Sequence, residues 1–176
     1  WALMRNTEPE NIQEHSHMVA ILAHALALLQ NKHFGGHIDP GQAVLLALYH
    51  DATEILTGDL PTPIKYYNPA LRASYKEVEE TAANRLLELR GDYAPYLLHP
   101  DPELEAVVKA ADKLDAYLKC VKERKAGNGE FQTAQVQIWD ALQANPLPAL
   151  GYFIQHYLPS FELTLDQLNG STHTMF

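Results

Sequence analysis

The sequence predicts an all-α protein, a compact bundle of about six main helices. Apolar residues recur at helical spacing in one segment after another. No stretch of useful length alternates in the way a strand does, and helix start and stop signals flank the apolar stripes. At 176 residues the chain is long enough for one domain with a sizeable core.

Residues 1 to 11 form an approach segment. Trp1 at its head reads either as a core anchor or as a lid over a site, the first being the commoner fate of a tryptophan. A first helix is expected from Ile12 to Gln30, on the stripe Val19, Leu22, Leu26 and Leu29, with His15 in its first turns. Phe34-Gly35-Gly36-His37 reads as a turn. Asp39 is a good N-cap for the second helix, Pro40 suits its first position and Gln42 stands where a capping box needs it. That helix is expected to run to about Ile55. Gly58 stops it, and Thr57 to Pro63 form a loop stiffened by Pro61 and Pro63.

Asn68-Pro69 opens a third helix with the stripe Leu71, Tyr75, Val78, Ala82, Leu86 and Leu89, ended by Gly91. Asp101-Pro102 opens a fourth, carrying Leu104, Val107, Val108, Ala111, Leu114, Leu118 and Val121. Gly127-Asn128-Gly129 breaks the chain before a fifth helix on Phe131, Ala134, Ile138 and Leu142. A short sixth is expected from Leu150 to Leu158, stopped by Pro159. Thr164 to Leu168 add a last turn, and residues 170–176 read as a frayed tail.

Composition excludes several function classes. The net charge is −9 and the pI about 5.4, with no Lys/Arg run, so a nucleic-acid polymer is not an expected partner. No segment has the roughly 18 uncharged apolar residues that a membrane span needs. The single cysteine, Cys120, reads as a buried packing residue, and the cytoplasm is the default compartment. The chain opens on Trp1 rather than Met, so a targeting segment ahead of it is not excluded.

The chemistry concentrates at Tyr49-His50-Asp51-Ala52-Thr53-Glu54, which ends the apolar run Val44-Leu45-Leu46-Ala47-Leu48. A helix that apolar is buried on most sides, and buried charge is costly unless paired or bound to a metal. On a helix Glu54 can approach both His50 and Asp51. Imidazole with carboxylate suits Mn, Fe, Co or Zn better than Ca or Mg. The plain alternative is a capped, solvated helix end. Asp59, beyond the helix, is either a turn residue or a carboxylate at the mouth of such a site. Asp112, at the edge of the fourth stripe, needs a partner: Lys109, Lys113 or a metal.

Taken together, His15, His50-Asp51 and Asp112 stand in the order H…HD…D on three helices. This order resembles that of the HD-domain metal-dependent phosphohydrolases. Leu3-Met4-Arg5-Asn6, Glu14-His15-Ser16, the His50-Asp51 segment, Leu56-Thr57-Gly58-Asp59-Leu60-Pro61-Thr62-Pro63-Ile64-Lys65-Tyr66, Ala111-Asp112 and Ala116 to Cys120 resemble, more narrowly, the bacterial 5′-deoxynucleotidases of the YfbR type. The likeness runs from Trp1 to about Phe161, and its loop after the His-Asp pair is the most specific part.

The resemblance implies one HD domain over residues 1–176, with a further N-terminal helix before it. It implies hydrolysis of deoxyribonucleoside 5′-monophosphates to deoxyribonucleoside and phosphate by a metal-activated water. His15, His50, Asp51 and Asp112 would hold one divalent transition metal (Co, Mn, Zn, Fe or Cu), and His15, Asp51 and Asp112 would also bind substrate. Asp59, Leu60, Pro61 and Thr62 would contact the nucleotide, and Trp1 would pack on the sugar. The resemblance also implies an arginine just before Trp1 to orient the phosphate, at a position this sequence does not include.

Glu54 is the candidate general acid/base, and Asp59 the candidate for orienting the water or accepting its proton. A homodimer is the expected assembly. Each residue alone has a plainer reading: a capped histidine, a salt-bridged flank, a turn former, a surface charge. The rivals are an HD hydrolase acting on a triphosphate, cyclic nucleotide or alarmone, and a metal- or nucleotide-binding module without catalysis.

Overall fold

The structure is a computed structural model that describes residues 1, 3–61, 68–89, 92, 94 and 101–170. Its elements in chain order are α1 (Ile12–Phe34), α2 (Pro40–Tyr49), α3 (Glu54–Thr57), α4 (Pro69–Leu89) and α5 (Pro102–Lys125). A 3₁₀ turn (Gly129–Phe131), α6 (Gln132–Gln143), α7 (Pro148–His156), a second 3₁₀ segment (Leu158–Glu162) and α8 (Leu165–Gly170) complete them. The described residues contain no strand, so the expected all-α class holds. None of these helices is long and apolar enough to cross a membrane.

Helix α1 is the axis of the core. It packs on α2, α5 and α7, while α5 also meets α2 and α6. Val19, Leu26, Ala43, Val107, Leu114 and Leu150 lie in the centre of one cluster, each fully buried. A capping box fixes where α1 begins. Asn11 Oδ1 accepts from the Gln13 and Glu14 amides at 3.0 and 3.1 Å, and Glu14 Oε2 accepts from the Asn11 amide at 3.1 Å. Orphan donors of a first turn are thereby satisfied, and His15 is set one turn into a stiff helix.

Asp39 caps α2 through the Gly41 and Gln42 amides at 2.8 and 3.2 Å, without the reciprocal Gln42 bond of a full capping box. Asp101 caps α5 through the Glu103 and Leu104 amides at 2.8 and 3.4 Å.

Several boundaries differ from the sequence reading. Helix α1 continues one turn beyond Gln30 to Phe34, where Gly35 (φ 69°) ends it in the left-handed region. His33 is therefore helical, stacked on Tyr152 with ring centroids 4.5 Å apart. The second helix does not run to Ile55. It stops at Tyr49, and residues 50–53 tighten into i→i+3 bonding: Ala52 donates to the Tyr49 carbonyl at 3.0 Å and Glu54 to the Asp51 carbonyl at 2.9 Å.

Val78, placed in the stripe of the third helix, is exposed, because α4 packs mainly on the short α3. Pro159 does not stop α7, which ends at His156; it lies inside the following 3₁₀ segment. Gly91, Thr62 to Pro63 and the tail 171–176 lie outside the described residues.

Candidate metal centre and substrate cleft

Three elements bring the four sequence-predicted ligands together. His15 comes from the first turns of α1, His50 and Asp51 from the tightened turn after α2, and Asp112 from the middle of α5. His15 Nε2 lies 3.4 Å from Asp51 Oδ2 and 3.3 Å from Asp112 Oδ1. His50 Nε2 lies 3.2 Å from Asp51 Oδ2 and 4.0 Å from Asp112 Oδ1. His15, His50 and Asp112 each offer one donor atom, all within 4.8 Å of one another. His50 and Asp51 are sequence neighbours at the end of α2, and their side chains still converge on one point, Nε2 to Oδ2 at 3.2 Å.

The far nitrogen of each ring is already committed. His15 Nδ1 bonds Asp115 Oδ2 at 2.7 Å, and His50 Nδ1 bonds the Ala47 carbonyl at 2.6 Å. A ring that donates from Nδ1 turns a bare Nε2 lone pair inward. His50 Nε2 is buried and makes no hydrogen bond, although a carboxylate oxygen stands 3.2 Å away. An Nε2 lone pair aimed at a carboxylate is repulsive unless a proton or a metal ion stands between them. Two imidazoles and two carboxylates are also the donor set of a divalent transition metal. The residues fit such an ion.

The charge balance points the same way. Burial alone would push the His15 ring down, but bonds to Asp112, Asp115 and Asp51 outweigh it and hold it up at about 12. Burial likewise opposes the charged form of His50, and Asp51 raises it. Burial would raise Asp51, yet the two imidazoles hold its carboxyl well below the usual carboxylate range. The pocket demands positive charge, from protons or from a metal.

Asp112 thus faces the histidines. Of the lysines considered for it, Lys109 pairs instead with Glu105. Glu54 opens α3 directly after the cluster. Gly58 follows α3 with φ 68° and ψ 161°, a conformation open essentially to glycine, and turns the chain so that Asp59 faces the N-terminal segment. Asp59 Oδ2 lies 3.5 Å from the Trp1 backbone nitrogen.

Trp1, Asn6, Glu10, Gln13 and Asp59 line a cleft of about 660 Å³. Trp1 is half-buried, its ring 5.2 Å from that of the fully buried Phe131, so it is both anchored and on the cleft wall. Leu60 and Pro61 are partly buried after Asp59, and Thr62 lies outside the described residues.

Sequence reading missed three acidic residues. Asp115 is buried and holds His15; its place one helical turn after Asp112 was the available signal. Glu10 joins His15 and Asp115 in a second group of possible ligands, and burial and Asp115 raise its pKa. Glu123, fully buried, lies four residues after Lys119, a spacing that signals an ion pair.

A histidine–aspartate cluster gathered from three segments of an all-α bundle, in the order H…HD…D, is the arrangement that the resemblance to HD-domain proteins implies. The structure resembles that of an HD-domain phosphohydrolase from Listeria innocua, with a TM-score of 0.76 over 89% of this chain and 79% of that one, at 22% sequence identity. The family described as 5′-deoxynucleotidase YfbR-like matches residues 1–161, and the chain belongs to it. A 5′-deoxynucleotidase of Vibrio parahaemolyticus is 49% identical, with 96% of this chain and 91% of that protein covered. One of Shewanella oneidensis is 48% identical, with 96% and 90% covered.

Proposed function

We propose that this chain is a metal-dependent phosphomonoesterase that hydrolyses deoxyribonucleoside 5′-monophosphates to deoxyribonucleoside and phosphate. The observation that carries the metal dependence is the buried, unbonded His50 Nε2 facing the carboxylate of Asp51. Family membership supports the substrate class over the triphosphates, cyclic nucleotides and alarmones that other HD enzymes use.

In this reading His15, His50, Asp51 and Asp112 hold one divalent cation of the Mn, Fe, Co, Zn or Cu kind. When bound, it offsets the charge of a phosphate dianion and makes water a stronger nucleophile at neutral pH. Asp115 and the Ala47 carbonyl fix the two rings so that both Nε2 atoms face the phosphate end of the site. Asp59 orients the attacking water and accepts its proton. Glu54 returns a proton to the departing 5′-oxygen as the P–O bond breaks. Trp1, Leu60, Pro61 and Thr62 hold the nucleoside end, with the indole against the sugar. The homodimer and the cytoplasmic compartment belong to the same proposal, and sedimentation velocity on the purified chain tests the first.

The deciding experiment is phosphate release from matched deoxy- and ribonucleoside monophosphates with added Mn or Co. Faster release from the deoxy series, abolished by chelator, is expected. Equal inertness toward all monophosphates in the metal-loaded protein would overturn the reading.

A further inference from the structure

Among its described residues, the segment before α1 makes one backbone bond of its own, from the Met4 amide to the Trp1 carbonyl at 3.0 Å. Yet it carries Trp1, Asn6 and Glu10 along the cleft wall. Beside the packing of Trp1 on Phe131 and the Lys122–Glu8 pair, it is held by Glu123, on the last turn of α5 and 0% exposed. Its carboxylate accepts from the Thr7 amide at 2.9 Å, from Thr7 Oγ1 at 2.6 Å and from the Glu8 amide at 3.3 Å. Lys119 Nζ pairs with Glu123 Oε1 at 2.7 Å and also donates to the Glu8 carbonyl. Asn128 Nδ2 bridges Glu123 Oε2 at 2.9 Å and the Arg5 carbonyl at 2.6 Å.

A buried carboxylate is costly unless its lone pairs are filled, and Lys119 alone would leave part of them empty. Here donors from a strap more than a hundred residues away in sequence fill them.

We infer that Glu123 is a positioning residue for substrate: it clamps the strap 5–8 onto α5 and so fixes Trp1 against the cleft where the nucleoside binds. The inference rests on the phosphomonoesterase reading for the identity of that ligand. The metal cluster hangs on α1, α2 and α5 independently of the strap. Loosening the clamp therefore weakens capture of the nucleoside and leaves the bound phosphate's chemistry in place.

The test uses Glu123→Gln, with Thr7→Val as a second variant that removes only the hydroxyl bond at the exposed end of the clamp. Arg124→Ala is the control; it breaks the neighbouring pair of Arg124 Nη2 with Glu162 at 2.8 Å, which does not touch the strap. Trp1 and Trp139 are the two tryptophans of the chain, so a Trp139→Phe background makes Trp1 the sole reporter.

Acrylamide quenching of Trp1 is expected to rise about twofold in Glu123→Gln. KM for a deoxyribonucleoside monophosphate should rise about tenfold, the usual consequence of opening a charge-assisted network. Turnover number and metal content should stay near the parent. Thr7→Val should move both readings the same way by a smaller factor, and Arg124→Ala neither. If Glu123→Gln does not fold, Thr7→Val decides alone. Unchanged quenching and unchanged KM in a folded variant would overturn the inference, as would a fall in turnover with KM constant. A parent protein that hydrolyses no monophosphate would sink the functional reading, whereas the quenching series would still show whether the clamp holds Trp1.

Discussion

Asp115 holds His15 by the ring nitrogen that faces away from the cluster, Oδ2 to Nδ1 at 2.7 Å. The partner of a ligating histidine sets its tautomer and basicity, and losing it typically costs 10–100-fold in metal affinity. Asp115→Asn is therefore expected to weaken binding of Mn or Co by about that factor while the helical content is kept. Isothermal titration against the parent measures it, and an unchanged affinity would mean that the bond has no part in the centre.

Removing His50 itself should have a larger effect. A cation bound only by the folded chain stabilises it by mass action, about 2.7 kcal/mol at a hundred times the dissociation constant. Added Mn or Co should raise the Tm of the parent and leave that of His50→Ala unmoved. Equal shifts in both proteins would place the ion elsewhere.

Glu54 and Asp59 are assigned to proton handling, not to holding the ion. Glu54→Ala and Asp59→Ala should each lower kcat by about two orders of magnitude or more, with metal content near that of the parent. Full turnover in both would withdraw the assignment. Loss of metal in either would convert that residue into a ligand.

Gly58 offers a test of how the Asp59 loop is aimed. A methyl group there would meet nothing within 4 Å, so Gly58→Ala acts through backbone strain alone. Forcing an L-residue into that region costs about 1–3 kcal/mol. Both Tm and kcat are expected to fall, and a fall in neither would show that the loop tolerates another path.

The acid side of the stability profile should report Glu123. Burial would raise its carboxyl, but Lys119, Thr7 and Asn128 hold it well below the usual carboxylate range. For a depressed carboxyl the stabilisation is complete above the ordinary value near 4.5 and is lost as pH falls from there toward the folded value. Tm should therefore drop more steeply between about pH 5 and pH 3 in the parent than in Glu123→Gln, as followed by circular dichroism. Parallel curves would count against it.

Much of this was legible in the sequence because helices announce themselves locally. Asp39-Pro40 and Asp101-Pro102 marked their helices, and apolar spacing gave α1 and α5. The break at Tyr49 was not legible: the apolar pattern of α2 carries on through Ile55 and Leu56, although both are exposed, and periodicity does not report a switch to i→i+3 bonding. His15, His50, Asp51 and Asp112 were found through their order along the chain. Asp115 and Glu123 were not: spacing set Asp115 one turn after Asp112 and Glu123 four residues after Lys119, but it carries no information on the partners 100 and 116 residues away that give them their roles.

Those long spans also bear on biosynthesis. The chain grows from its N-terminus at a few to some twenty residues each second, so His15 waits for about half of α5 to be made before Asp112 and Asp115 can join it. Thr7 waits longer still for Glu123. If the proposed ligand set holds, ribosome-bound fragments ending before Asp112 are expected to bind Mn or Co more weakly than the full chain. On the proposed ligand set, loading would be a late event of folding, completed when α1 closes against α5.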